Sequence, residues 1–315
     1  MSGDRRRISV IVVTYRRDAC LVHTIACVRR DLGPGDELIV VDQVPDHTAE
    51  VLAALEDAAG DPRCRVLVLD VASTTLARNV GGLRAAGEVL LYLDDDVDFA
   101  PGLLDGHRAC YDDPTVAGVA GRVRVGGRME FDPVRPYVRS GIGCHMSFRR
   151  RAFLQVGGFD TNLIGNFWLE EYEFSERVRR EVGRIAVGRS CLIDHLEEPS
   201  GGQGNRRRPT LETHVQWYYF AYHNLFYWAL KRPMPQLVTE LPRHLASRIL
   251  GWTRPPRWVG LTREFYAHAV AAAARDAVRT ARHACPAPYW PEPGLIVREL
   301  LPRGATPPRL KGLEA

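Results

Sequence analysis

LARNVGGLRAAGEVLLYLDDD, residues 76 to 96, decides the fold. Apolar residues at three-to-four spacing predict a helix over 75–86, with Arg78 and Asn79 in its first half and Gly81, Gly82 and Gly87 permitting close approach. Glu88 to Leu93 then reads as a buried strand, which ends abruptly in Asp94, Asp95 and Asp96, with Asp98 one residue further on. Four carboxylates at one strand end repel each other, and a hard divalent cation relieves that crowding. Asp94 and Asp96 are therefore candidate ligands for Mg²⁺ or Mn²⁺. The plainer alternative is a solvated acidic turn before Pro101, with Asp98 capping the next helix.

Working outward, the first hundred residues repeat the same alternation. Ile8 to Val13, Glu37 to Val41 and Arg65 to Leu69 read as strands, and Ala19 to Asp31 and Thr48 to Ala59 as helices between them. That rhythm predicts parallel βαβ units and a doubly wound α/β layer. Ligands of open α/β sheets sit beyond the carboxyl ends of the strands. Thr14 and Tyr15 after the first strand and Asp42 after the second should open onto the same edge as the aspartates. A carboxylate there can accept from a base or ribose, and a tyrosine can stack on a base. Arg78 beside a metal site suits a diphosphate through charge-assisted hydrogen bonds, although an isolated surface arginine would simply pair with a carboxylate.

From Val116 to Ile193 the pattern is mixed: strand-like pieces at Val116 to Val125, His145 to Phe148 and Arg184 to Val187 surround a helix over Glu173 to Val182. This reads as an α+β continuation of one sheet. GGQGNRRRP, residues 201 to 209, has loop composition and marks a boundary. Beyond it, Leu211 to Leu230, Leu237 to Leu250 and Leu261 to Ala284 read as helices, and a segment with seven prolines from residue 286 onward reads as an extended tail or strap. The expected division is 1–204, 205–285 and 286–315.

Lys plus Arg is 42 and Asp plus Glu 38, a net charge of +4, too small an excess to argue for a nucleic acid polymer as partner. Apolar types at 45% and charged types at 25% exclude a disordered or collagenous chain. The seven cysteines show no CxxC pair and read as reduced core and surface thiols. No apolar run approaches twenty residues and no export signal is visible, which predicts a cytoplasmic protein that does not span a membrane.

Taken together, SVIVVTYRR, ELIVVD and LARNVGGLRAAGEVLLYLDDD, followed by CHMSFRRRAFLQVGGFDTNLIG, FWLEEYEFSERVRREVG and LIDHLEEPSGG, resemble the family 2 glycosyltransferases with a GT-A fold, over residues 8 to 204. The resemblance implies a nucleotide-binding mixed sheet flanked by helices, with a C-terminal helical extension. It implies that Asp94 and Asp96 hold the metal of a nucleotide-diphosphate sugar, that Asp95 reaches the ribose or sugar, and that Thr14, Tyr15, Asp42 and Arg78 contact the nucleotide, most often uridine diphosphate. Arg16 and Gln43 depart from the family's more frequent asparagine and aspartate.

The pair Glu170 and Glu171 matches the family's Glu-Asp, whose second carboxylate is the general base in inverting members; the resemblance implies that the base here is Glu171. The alternative is that Glu170, Glu171 and Glu173 simply favour the N-terminus of the helix they open. His195 matches a histidine that completes the metal site in some members, and imidazole beside two carboxylates favours Mn²⁺ over Mg²⁺. His145 receives no role. WYYFAYHNLFYW, residues 217 to 228, holds eight aromatics, which suit core packing, an acceptor sugar or a membrane interface. Arg206, Arg207 and Arg208, with Arg243, Arg248, Arg254 and Arg257, fit peripheral membrane contact.

The expected activity is inverting, metal-dependent transfer from a nucleotide-diphosphate sugar, a UDP-sugar favoured, to a hydroxyl-bearing acceptor. A catalytically degenerate nucleotide-sugar-binding or membrane-associated partner protein and a nucleotidyltransferase are the alternatives. The latter would normally carry a Gly-rich loop where TYRRDA stands.

Overall fold

The structure is a computed structural model that describes residues 5–43, 47–165, 169–196, 211–231, 263–284, 286–292, 295 and 297–300. It divides into two compact units. One comprises residues 1–161, 170–202 and 287–315, the other 162–169 and 203–286.

The first unit is built on a mixed sheet of eleven strands. β1 (Ile8–Thr14), β2 (Glu37–Asp42), β3 (Cys64–Leu69) and β4 (Val89–Asp94) run parallel, linked by α1 (Asp18–Asp31), α2 (Ala49–Gly60) and α3 (Thr74–Arg84). Beyond β4 come β5 (Val97–Asp98), α4 (Leu103–Cys110), β6 (Val116–Val125), β7 (Arg128–Phe131), β8 (Tyr137–Val138), β9 (His145–Arg149), α5 (Arg150–Val156), α6 (Glu170–Glu181) and β10 (Arg184–His195). The spatial order is β11-β3-β2-β1-β4-β9-β6-β10-β5, with β11 being Val297–Leu300. β9 is antiparallel to both β4 and β6, and so joins the parallel half to the mixed half.

The parallel central strands are largely apolar because both faces are covered. Along β1, Val10 and Val12 join a core with Leu21 and Val28 of α1 and Leu55 of α2. Their neighbours Ile11 and Val13 join a second core with Ala77 and Val80 of α3 and Phe153 and Phe174 of α5 and α6. The period of two thus sends alternate residues to opposite layers. α3 approaches the sheet closely. A Cβ on Gly81 would stand 2.5 Å from Ile11 Cγ2, and one on Gly82 would stand 2.7 Å from Phe153 Cζ.

Each expected strand and helix between residues 8 and 193 is present, with two differences. α6 begins at Glu170 rather than Glu173, which puts the acidic pair in its first turn. β10 runs to His195 instead of stopping near Val187, its pairing with β6 shifting register between Gly188 and Leu192. The shift absorbs the polar residues Arg189 and Ser190, which interrupt the apolar pattern in the sequence. Val297–Leu300, within the proline-rich segment, pairs antiparallel with β3 as an edge strand.

In the second unit, α7 (Leu211–Leu230) and α8 (Arg263–His283) are held by Tyr219 Oη donating to Asp276 Oδ2 at 2.7 Å and by His223 Nε2 and Thr280 Oγ1 at 2.9 Å. Tyr227, Ala277 and Leu163 share a small core, so part of the aromatic run packs within this unit. The expected helix over 237–250, the boundary at 201–209 and Arg206, Arg207, Arg208, Arg243, Arg248, Arg254 and Arg257 lie outside the described residues. Among the described residues no helix is long and apolar enough to cross a membrane.

Candidate active site

Register places the site. Thr14 lies beside Asp42 across the β1–β2 pair, and Val13 beside Asp94 across β1–β4, so the carboxyl ends of three parallel strands form one row. The buried run of β4 delivers Asp94, and the chain turns through Asp95 and Asp96 into β5. β5 pairs with the end of β10, setting Val97 opposite His195, while Leu196 N donates to Asp96 O at 2.8 Å. Thr24 of α1 braces the same turn: its hydroxyl accepts from Val97 N at 3.1 Å and lies 2.9 Å from Asp95 O.

Asp96 Oδ1 and His195 Nε2 approach to 3.0 Å, and Asp94 Oδ2 lies 3.9 Å from the same nitrogen. Ligand atoms of all three fall within 4.8 Å of one another, a spacing at which one cation touches them all. Two carboxylates and an imidazole fit a divalent ion of the Mn²⁺ type. Burial disfavours the charged form of His195, but Asp96 and Asp94 outweigh it, so its pKa stands above the usual imidazole value.

Asp95 serves a different purpose. Its Oδ2 accepts from Thr14 Oγ1 at 2.6 Å and its Oδ1 pairs with Arg17 at 3.3 Å. Burial pushes its pKa up to about 7 and its two aspartate neighbours push the same way, against the pull of Arg17 and Thr14. Arg17 Nη1 also lies 2.5 Å from Asp96 Oδ2.

Arg78 is buried and spans the gap to the acidic pair. Its Nη2 is 3.8 Å from Asp94 Oδ1 and donates to Gly143 O at 3.1 Å, while its Nη1 is 3.4 Å from Glu170 Oε1. Its guanidinium carbon sits 5.5 Å from the centre of the Phe159 ring, and Asn79 fixes the Phe159 backbone by accepting from its N at 2.7 Å and donating to its O at 2.8 Å. Glu171 is partly exposed along its length but its Oε2 is buried. Burial, with the adjacent Glu170 charge, raises its pKa to about 8. Glu173 instead pairs with Arg177 at 2.7 Å, one turn along α6.

The structure therefore brings Asp94, Asp95, Asp96, His195, Thr14, Arg78 and Glu170 into one connected set. Asp42 is in the row but engaged by His47, whose Nε2 is 3.0 Å away and whose Nδ1 is 2.7 Å from Asp18. The hydrogen bond to Asp42, aided by Asp18, raises the His47 pKa to about 9 despite burial. Tyr15 is half-buried, with the Arg16 guanidinium over its ring. Sequence reasoning passed over Arg17 and His47, and marked Gln43 only as a departure from the family's aspartate. Gln43 ties β1 to the start of α3, donating to Thr14 O at 3.2 Å and accepting from Ser73 N at 2.7 Å. The basic residue in TYRR was the available signal for Arg17.

His145 lies outside this set. Its Nδ1 donates to Arg122 O at 3.0 Å, so in the neutral ring its Nε2 accepts from His107 Nε2 at 2.8 Å. His107 Nδ1 then accepts from Ser147 Oγ, and Ser147 from Tyr111 Oη, both at 2.8 Å. Burial lowers the pKa of both histidines, that of His145 to about 4.

The mixed sheet thus carries, at the carboxyl ends of its parallel strands, a carboxylate–imidazole cluster able to hold a cation, with an acid pair nearby. The model for glycosyl transferase family 2 matches residues 9–171, and the chain belongs to that family: it is a glycosyltransferase of the GT-A fold. It is 28% identical to a glucosyl-dolichyl phosphate glucuronosyltransferase of Haloferax volcanii over 218 residues, 60% of this chain and 69% of the relative. Its fold is similar to that of a Pyrobaculum calidifontis mannosyltransferase in complex with GDP-Man and Mn²⁺. There the TM-score is 0.57 at 18% identity, over 89% of this chain and 79% of the other. It is also similar to S. aureus TarS residues 1–349 in complex with UDP-GlcNAc, with a TM-score of 0.57 at 15% identity over 88% of this chain and 92% of the other.

Proposed function

We propose that this glycosyltransferase is metal-dependent and inverting, and moves a sugar from a nucleotide-diphosphate donor, a UDP-sugar favoured, to a hydroxyl-bearing acceptor. One observation carries the reading: Arg78 lies between Asp94 of the cation site, 3.8 Å away, and Glu170 of the acidic pair, 3.4 Å away. The leaving-group end and the base end of a displacement are thereby held by one buried guanidinium.

Asp94, Asp96 and His195 would hold Mn²⁺ or Mg²⁺, the imidazole favouring Mn²⁺. Such a cation would supply charge neutralisation to a departing diphosphate. Arg78 adds hydrogen bonds to the same oxygens, while Thr14, Tyr15, Asp42 and Asp95 serve the nucleoside and sugar. Glu171 takes the acceptor's hydroxyl proton as its oxygen bonds to the anomeric carbon and the bond to the diphosphate oxygen breaks, with the electron pair leaving on that oxygen. One displacement from the opposite face inverts the anomeric centre. The transition state has oxocarbenium character, as in glycoside hydrolysis.

The relatives support the donor class, since the matched structures carry GDP-Man and UDP-GlcNAc. The Haloferax relative, by its name, uses a dolichyl phosphate-linked sugar, which supports a lipid-linked acceptor among the hydroxyl acceptors to be tried. The domain assignment proposed with it is 1–204 as the catalytic part, 205–285 as a C-terminal extension and 286–315 as the tail.

The test is thermal unfolding with UDP, GDP, dTDP and CDP, each with Mn²⁺, Mg²⁺ or chelator, followed by product analysis with the sugar donor of the best base. A ligand at a hundredfold over its Kd stabilises by about 2.7 kcal/mol. A metal-dependent shift and a product of inverted anomeric configuration are expected. Retained configuration removes the single displacement, and no shift with any nucleotide removes the donor assignment.

A further inference from the structure

A second cluster lies on the other side of the turn that carries the aspartates. His23 and Cys27 stand one helical turn apart on α1, so both project from the same helix face. Asp98 of β5 meets them. Cys27 Sγ is 3.5 Å from His23 Nε2 and 3.3 Å from Asp98 Oδ1, and the latter two atoms are 3.4 Å apart. The cysteine is buried, while the side chains of His23 and Asp98 are 49% and 45% exposed, so the triangle is open to solvent on one side.

Those three lengths match one face of a tetrahedral zinc site. Bond lengths of about 2.3 Å to sulfur and about 2.0 Å to nitrogen or oxygen put sulfur about 3.5 Å from either partner, and nitrogen about 3.3 Å from oxygen. Thiolate, imidazole and carboxylate are also the donor set that borderline cations prefer to Mg²⁺ or Mn²⁺. We propose that His23, Cys27 and Asp98 form a second metal site, for Zn²⁺ or a similar borderline cation, with water at the fourth position. It shares no ligand with Asp94, Asp96 and His195, and it contains the sulfur which that set lacks.

Binding replaces the thiol hydrogen of Cys27 with a metal–sulfur bond and releases one proton to solvent. The hydrogen bond from Cys27 to Asp98 is exchanged for coordination by both groups. Arg30 does not take the place of the cation, since it donates to Phe99 O at 2.8 Å. The consequence is mechanical: Thr24, between the two helix ligands, already holds Asp95 O and Val97, so a cation here staples α1 to the strand leaving the acidic turn.

The experiment uses the full chain and Co²⁺ as a spectroscopic stand-in for zinc. One equivalent of Co²⁺ should give a thiolate-to-cobalt charge-transfer band that Zn²⁺ displaces. The band should vanish in Cys27→Ser and persist in Asp96→Ala. His23→Ala, at an exposed position, should weaken Zn²⁺ binding at the thiolate site at least tenfold without dependence on whether Cys27→Ser folds. Absence of the band in the wild-type chain at saturating Co²⁺, its survival in Cys27→Ser, or unchanged Zn²⁺ affinity in His23→Ala would each overturn the site.

Discussion

Arg17 Nη1 stands 2.5 Å from Asp96 Oδ2, placing a fixed protein cation on the carboxylate whose other oxygen faces His195. Burial works against its charge, but Asp95, Asp96 and Asp94 outweigh that and raise its pKa, so it stays charged. A guanidinium in that place repels an arriving divalent ion. Arg17→Gln should therefore tighten Mn²⁺ binding in the absence of nucleotide, by on the order of tenfold or about 1.4 kcal/mol. Calorimetric titration of Mn²⁺ into both proteins checks it; equal or weaker binding in the variant would remove Arg17 as a competitor.

Glu171 gives a pH signature with two arms. Transfer should rise with pH as the carboxyl deprotonates, toward about pH 8, and Glu171→Gln should lose at least a hundredfold in turnover while keeping donor affinity. Stability runs the other way. The folded-state pKa is raised above the ordinary 4.5, so this group's contribution is full below that value and is lost as pH rises through about 8. Glu171→Gln should accordingly raise the melting temperature at pH 8 more than at pH 5. A melting difference of the opposite sign would contradict the burial of this carboxylate.

The chain from Tyr111 through Ser147 and His107 to His145 requires neutral imidazoles. Folded pKa values lowered by burial mean that its contribution is present above about 6.5 and is lost as pH falls toward about 4. His107→Ala should cost about 2 kcal/mol at pH 7.5, because it strands buried polar partners, and the variant should lose less further stability than the wild type between pH 6.5 and 4. Urea unfolding across that range checks both; an identical acid slope in the two proteins would place the sensitivity elsewhere.

Two neighbouring polar groups should behave oppositely. The Tyr92 hydroxyl is buried without a hydrogen-bond partner, so Tyr92→Phe should be neutral or stabilise by about 1 kcal/mol. Asn79 makes three buried hydrogen bonds, to the N and O of Phe159 and the O of Tyr289, so Asn79→Ala should cost about 3 kcal/mol. Because Phe159 carries Arg78 on its ring, Asn79→Ala should also weaken donor binding. Urea midpoints and donor titrations of the two variants make the comparison.

The strand ends were legible because local pattern alone determines them: apolar runs stop at Thr14, Asp42 and Asp94, and parallel pairing then aligns those stops. Arg78 was legible by proximity to the aspartates. The contacts of Arg17, and His47 on Asp42, were not, because each depends on a loop bringing a cation back over a strand end. Nor was β11, whose sequence VREL lies among prolines and gains its conformation from β3. The thiol triangle is not legible either, because it holds a single cysteine and its carboxylate comes from β5, 71 residues away from Cys27.

The edge strand of the sheet is made long after the strand it covers. Arg65 on β3 and Glu299 on β11 form an ion pair across 234 residues, and Asn79 waits for the carbonyl of Tyr289. At about 5–20 residues per second, roughly ten to fifty seconds separate synthesis of the two edge partners. Through that interval the nascent chain carries β3 with an open row of amides and carbonyls. The whole of the second unit emerges in the meantime. The sheet is thus begun before the second unit and completed after it, and its newly made β3 edge stays open in between.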